Sequence, residues 1–229
     1  MPRTLTERMY ERLRADILAG RFRPGQRLKL GELQQRYGGG AGVIREALIR
    51  LAERGLVRSQ PQVGFAVPPL DRDALVELTE ARVAIEGLVL GQAVAHGDTR
   101  WEARAVASHH LLARTPARPE SEEWSDAHLA FHRALLDGCP NGRLKEIADQ
   151  LRVAAEPYLA WSQTIGDEPE RDVAGEHEAL LAAALARDAA LAADRLAAHL
   201  HRTMTNLMIK APFASPPTSP TPQPTTGTP

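Results

Sequence analysis

Residues 30–55, LGELQQRYGGGAGVIREALIRLAERG, read as helix, break, helix. Leu30–Tyr37 makes a short helix with Leu30 and Leu33 turned inward, and Gly38-Gly39-Gly40 interrupts the chain. Val43–Arg54 restarts a helix with Ile44, Leu48 and Leu51 at helical spacing. Its opposite side carries Arg45, Glu46, Arg50 and Glu53, and Gly55 supplies the stop.

Working outward, Leu5–Ala19 places Leu5, Met9, Leu13, Ile17 and Leu18 on one stripe, with Thr4 or Thr6 able to cap its start. Gly20 ends that helix, and Arg23-Pro24-Gly25 is a turn. On the other side, Leu56–Ser59 and Gly64–Val67 are short β-type runs joined by Gln60–Val63, a hairpin with an exposed tip. Pro68-Pro69 closes the unit as a stiff linker. Helix, helix, turn, helix and hairpin within 1–69 is the layout of a winged helix-turn-helix.

From Asp71 to Lys210 the pattern is wholly helical, with helices expected near 71–96, 99–114, 121–137, 141–165, 169–186 and 188–210. Pro157 should kink the fourth of these or end it early. The expected fold is therefore mainly α: a winged head over 1–69, then an all-α antiparallel bundle of about six helices over 70–210. Residues 211–229 hold 7 of the 17 prolines and read as a disordered tail.

Charge is segregated along this plan. The first seventy residues carry 13 Lys+Arg against 6 Asp+Glu, so the remaining 159 carry 15 against 23. A head of +7 on a body of −8 favours a polyanionic partner for the head alone. The single cysteine, Cys139, excludes an intramolecular disulfide framework and reads as a small apolar residue at a helix end. No apolar run is long enough to span a bilayer, and the N-terminus lacks an apolar signal core, so the expected location is cytoplasmic, with no membrane partner.

Several phrases resemble GntR-type bacterial transcription regulators. Ile17–Gly25 is similar to their connector after the first helix, Ile44-Arg45-Glu46-Ala47-Leu48 to their recognition helix, and Gly64-Phe65 with Val67 to the wing's second strand. Arg82 and Glu86, Phe131-His132, Asn141, Glu176-His177 and His199-Leu200 resemble the helical ligand-binding (FCD-type) domain of the FadR-like branch. The resemblance covers roughly residues 4–208, and the motifs' order and spacing make it specific.

It implies that Val43–Arg54 enters a DNA major groove, where an arginine donates two hydrogen bonds to guanine. The leading turn, with Ala41 and Gly42, meets the groove, and Arg45 is the first choice for a base or phosphate contact. Arg50 and Arg54 lie further along; Lys29 and Arg36 suit phosphates; the tip Pro61–Gly64 suits the adjacent minor groove. For each arginine the alternative is a solvated surface position. This chain has Gly39-Gly40 where many members have Val-Ser, and Ala41 where they have Arg. Loss of a capping hydroxyl and a side-chain donor implies weaker or differently specified DNA binding.

His128 and His132 are four apart on one helix and point the same way; with His177 and His199 from two later helices they can converge inside the bundle. Such a set suits a divalent ion, zinc first, with nickel or manganese as alternatives. Metal-binding members of the branch use the positions of His132, His177 and His199, and usually carry Asp where this chain has His128. The swap makes the site softer and one charge more positive. The alternative is a set of histidines without metal. Arg82 is, by resemblance, an effector contact for a small carboxylate; its alternative is an ion pair with Glu86. His96, His109, His110 and His201 read as surface residues.

The function implied is a dimeric regulator, a repressor, which binds double-stranded DNA at an inverted repeat and answers to a small organic acid. The competing reading is a metal-dependent hydrolase on the bundle. His128-Leu-Ala-Phe-His132 resembles a metalloprotease pair, but Leu129 stands where the general base must be, and no nucleophile motif is present. The expectation is no enzyme.

Overall fold

The computed structural model describes residues 4–53, 55–60, 64–116, 122–165, 171–210 and 213. Thr4 caps the first helix α1, Leu5–Leu18, by accepting from the Glu7 amide at 3.1 Å. Its inward stripe is Met9, Tyr10, Leu13 and Ile17; Leu5, expected on it, is 50% exposed, because the stripe rotates onto Tyr10. Helix α2 spans Leu30–Tyr37, and α3 spans Ala41–Glu53. The recognition helix thus starts two residues before the predicted Val43. The Gly40 carbonyl accepts from the Val43 and Ile44 amides, so backbone alone begins a helix that has no capping hydroxyl. Arg54 lies outside the described residues.

A strand the sequence reading lacked, β1 (Arg27–Leu28), joins β2 (Arg58–Gln60) and β3 (Gly64–Ala66) in the order β1-β3-β2. Both pairings are antiparallel, setting Leu28 and Ser59 opposite Phe65. Leu56 and Val57, read as strand, are instead buried in the turn after α3, where they close the helical core. Two residues such as Arg27-Leu28 carry no alternation to read; only pairing with β3 makes them a strand. The wing tip, Pro61–Val63, lies outside the described residues. Leu13, Ile44, Leu48, Leu51 and Leu56 are fully buried and form the centre of the head.

Asp16 ties α1 to α2. It accepts from the Tyr37 hydroxyl, from Arg21 at 2.7 Å and from Arg36 at 3.0 Å. Burial and the neighbouring carboxylate push the Tyr37 hydroxyl above its usual range. Asp16→Ala should destabilise the head by roughly 1–3 kcal/mol, since a buried hydroxyl loses its acceptor while the two arginines stay solvated. Urea unfolding measures this.

The remaining helices are α4 (Arg72–His96), α5 (Thr99–Arg114), α6 (Glu122–Leu136), α7 (Gly142–Ile165), α8 (Val173–Leu185) and α9 (Ala189–Lys210). They form a bundle in which α4 packs against α9 and α7, and α5 against α6. Helix α7 runs through Pro157 to Ile165, so the helix does not end at that proline. Trp101 and Phe131 fill the centre, and the Trp101 indole N–H donates to the Ala134 and Leu135 carbonyls at 3.0 and 3.1 Å. Cys139 is buried just beyond α6. Among the described residues no helix is long and apolar enough to cross a membrane. Of the proline-rich tail only Phe213 is described; its ring lies 5.1 Å from the Arg72 guanidinium.

Candidate metal centre and nucleic-acid interface

Helix periodicity builds the bundle site. On α6, positions 128 and 132 share a face; α8 brings His177 and α9 brings His199 to the same point. One ligand atom from each of the four histidines lies within 4.8 Å of the others. The Nε2 atoms of His128 and His132 are 3.1 Å apart. His132, His177 and His199 are buried and His128 is half-buried. Phe131 closes the floor, its ring 5.4 Å from both His132 and His177, while Trp124 stacks on His128.

Burial is the main reason all four imidazoles titrate below their ordinary range, His177 at about 3. They are therefore neutral at physiological pH, the form that ligates metal. Glu176 sets one of them: its carboxylate meets His199 Nδ1 at 2.8 Å, which leaves Nε2 for the cluster. Arg171 and Arg202 also donate to Glu176. Burial alone would raise this carboxyl, but the bonds from His199, Arg171 and Arg202 hold it well below the usual carboxylate range. The fit to a cation rests on one further fact. His177 Nε2 is buried without a hydrogen-bond partner among the described residues, an arrangement costly to fold unless something accepts its lone pair.

A cavity of about 50 Å³ opens beside His128 and His132. Arg82 and Arg152 line it. Arg82 donates to Glu86 at 2.7 Å, the pairing the sequence left open, and Arg152 reaches Glu86 at 3.4 Å and the Leu129 carbonyl at 3.2 Å. Sequence reasoning missed Arg152, and quoted Glu176 only within the Glu176-His177 phrase, with no role of its own. Arg152 had a signal: it shares the buried stripe of Ala148 and Ala155, where an arginine requires a partner. Glu176 had none beyond its place next to His177. His109, expected at the surface, is half-buried with its ring 5.2 Å from Phe131, because α5 packs against α6 at this level. His96, His110 and His201 are exposed.

In the head, α3 buries Ile44, Ala47, Leu48 and Leu51, and presents Ala41, Gly42, Arg45, Glu46 and Ile49 to solvent. Arg45 extends from the first turns with no ion pair among the described residues. Arg50 lies 4.8 Å over the Tyr10 ring, and Arg36 is held by Asp16 and stacked 5.0 Å over Phe22. Lys29 pairs with Glu32 at 2.8 Å on the surface. Gly64 opens β3 at φ 96°, a left-handed setting that favours glycine, and is exposed.

A winged helix-turn-helix head joined to a helical bundle is the architecture of a DNA-binding transcription regulator. The chain belongs to the gntR family of bacterial regulatory proteins: that family's model matches residues 5–67, and the FCD domain matches 77–202. It is 36% identical over 209 residues to the HTH-type transcriptional regulator BphR of Paraburkholderia xenovorans, covering 89% of this chain and 85% of that one. It is 34% identical over 198 residues to the HTH-type transcriptional repressor GlaR of Escherichia coli, covering 83% and 90%. The fold is that of McbR/YncC from E. coli, with a TM-score of 0.72 over 91% of this chain and 99% of that one, at 23% identity. These relatives are transcription regulators and not enzymes, which sets the hydrolase reading aside.

Proposed function

We propose that this DNA-binding regulator is a homodimeric repressor, acting in the cytoplasm, whose hold on an inverted-repeat operator is set by a small organic acid. The reading head is residues 1–69 and the sensor 70–210; of the tail expected over 211–229, all but Phe213 lies outside the described residues. Arg45, with Ala41 and Gly42 on the leading turn of α3, meets base edges in the major groove. Lys29, Arg36, Arg50 and Gly64 flank that face and serve the phosphates and the wing. Arg36 reaches phosphate with its exposed edge while Asp16 fixes its angle. The two dimer-related heads read the two half-sites.

His128, His132, His177 and His199 hold a divalent ion, with zinc the best match to four imidazoles. When bound, the ion would add positive charge beside the adjoining cavity, which favours an anionic carboxylate there. Arg82 takes the acid's other end, held at the cavity wall by Glu86. The observation that carries this reading is the convergence of four neutral imidazoles, three of them buried, with one orphaned nitrogen, His177 Nε2.

Gel-shift titration on the neighbouring intergenic DNA, repeated across salt concentrations, tests the head: affinity falls as salt rises and depends on sequence. Binding indifferent to both salt and sequence contradicts the proposal. Calorimetric zinc titration tests the sensor. Glu176→Gln should weaken zinc binding by about 10- to 100-fold, because His199 loses the carboxylate that orients it.

A further inference from the structure

The cavity beside His128 and His132 is not built from the bundle alone. Arg14 and Leu18 of α1, in the reading head, form part of its wall, facing Arg82, Asp126 and Glu156. Arg14 Nη2 meets Glu156 Oε2 of α7 at 3.2 Å, with the two side chains only 22% and 11% exposed. This ion pair bridges head and bundle: α1 packs directly on α7. The link is a one-point contact. Among the described residues Arg14 makes no second hydrogen bond, although the Asp126 carboxylate in the same wall also acts on it, so N–H groups of its planar fork remain for an acceptor inside the cavity.

From this placement we propose that Arg14 is a binding residue for the anionic effector, contributed by the reading head to the sensor's own cavity. The inference rests on the carboxylate-sensor reading above and adds the route by which occupancy reaches the DNA-binding face. A carboxylate held in the cavity occupies the open edge of the Arg14 guanidinium while Glu156 keeps the other. Arg14 stands in the cavity only while α1 is docked on α7. The acid therefore binds the docked head more tightly than the undocked one, and that difference in affinity is what a ligand needs to shift an equilibrium. The cavity, at about 50 Å³, has room for a group of a few heavy atoms, so the class is a short-chain carboxylate. Helix α1 also packs on α3, so a change in the setting of α1 is carried to the helix that bears Arg45.

The test uses the full chain loaded with Zn²⁺ and a panel of acetate, lactate, malonate and succinate, read by calorimetry and by operator gel shift. Arg14→Gln should bind the best acid about tenfold or more weakly, with Arg14→Lys recovering part of the loss. The primary amide of that acid should bind wild type and Arg14→Gln alike. The acid's effect on operator affinity, about fivefold or more in wild type, should vanish in Arg14→Gln. Glu156→Gln, which keeps the guanidinium and frees more of its fork, should bind the acid at least as well as wild type; this decides the matter should Arg14→Gln fail to fold. Unchanged acid affinity and unchanged DNA response in Arg14→Gln, or loss of acid binding in Glu156→Gln, overturns the role of Arg14 while leaving the sensor reading intact. A wild type that binds none of the panel removes the carboxylate-sensor reading and this inference with it.

Discussion

Zinc added to metal-free protein should raise its melting temperature by roughly 5–10 °C when free zinc stands about 100-fold above its dissociation constant. Binding to the folded state alone then contributes about 2.7 kcal/mol, and a chain of this size shifts by about 2–4 °C per kcal/mol. The expectation follows from the pocket's present state. Four imidazoles held neutral by burial, and His177 Nε2 without a partner, are groups that folding has already stripped of water. Ligation would satisfy them, and the Glu176 carboxylate on His199 Nδ1 keeps that ring in the tautomer whose free nitrogen faces inward. His177→Ala should abolish the zinc-dependent shift. His128→Ala should only reduce it, since three buried histidines remain and His128 sits at the half-buried rim. Differential scanning fluorimetry with and without chelator checks all three proteins. A melting temperature indifferent to zinc, nickel and manganese alike would falsify the metal-bound reading of the cluster.

Arg45→Ala is the second large effect. Operator affinity should fall by about 10- to 100-fold, equivalent to about 1.4–2.8 kcal/mol, with discrimination relaxed at one base-pair position. Arg45 is exposed on the leading turns of α3, beside the bare surface made by Ala41 and Gly42, so on the proposed reading its guanidinium would be the main donor there. Arg50→Ala should do less to specificity, because that side chain is already stacked over Tyr10. Fluorescence anisotropy against operator and scrambled duplexes separates the two outcomes. Equal loss on both duplexes assigns Arg45 to phosphate rather than to a base. Restoring the missing groups with Gly40→Ser and Ala41→Arg together should tighten binding and steepen its salt dependence by about one phosphate contact.

Much of this molecule was legible before its fold. The six bundle helices were readable within a few residues because long alanine- and leucine-rich periods are broken by caps such as Asp71, Asp98 and Asp172. The family itself was readable from Ile17–Gly25, Ile44–Leu48 and the histidine phrases, and the matches over 5–67 and 77–202 bear it out. Where the sequence misled, the deciding interaction was non-local. Arg27-Leu28 became a strand only through β3, Leu56 and Val57 were drawn into the core, and α7 continued beyond Pro157 to Ile165.

The sequence by itself determined the helices, the family and the helical face that carries Arg45, because these follow from periodicity and from spacing within single segments. Tertiary structure alone decided that Glu176 orients His199, that Arg152 shares Glu86 with Arg82, and that Arg14 of the head meets Glu156 across the cavity. These partners are 23, 66 and 142 residues apart for His199–Glu176, Arg152–Glu86 and Arg14–Glu156. No local rule connects residues at such separations; only the packing of α1, α4, α7, α8 and α9 removes enough water to make their charges seek one another.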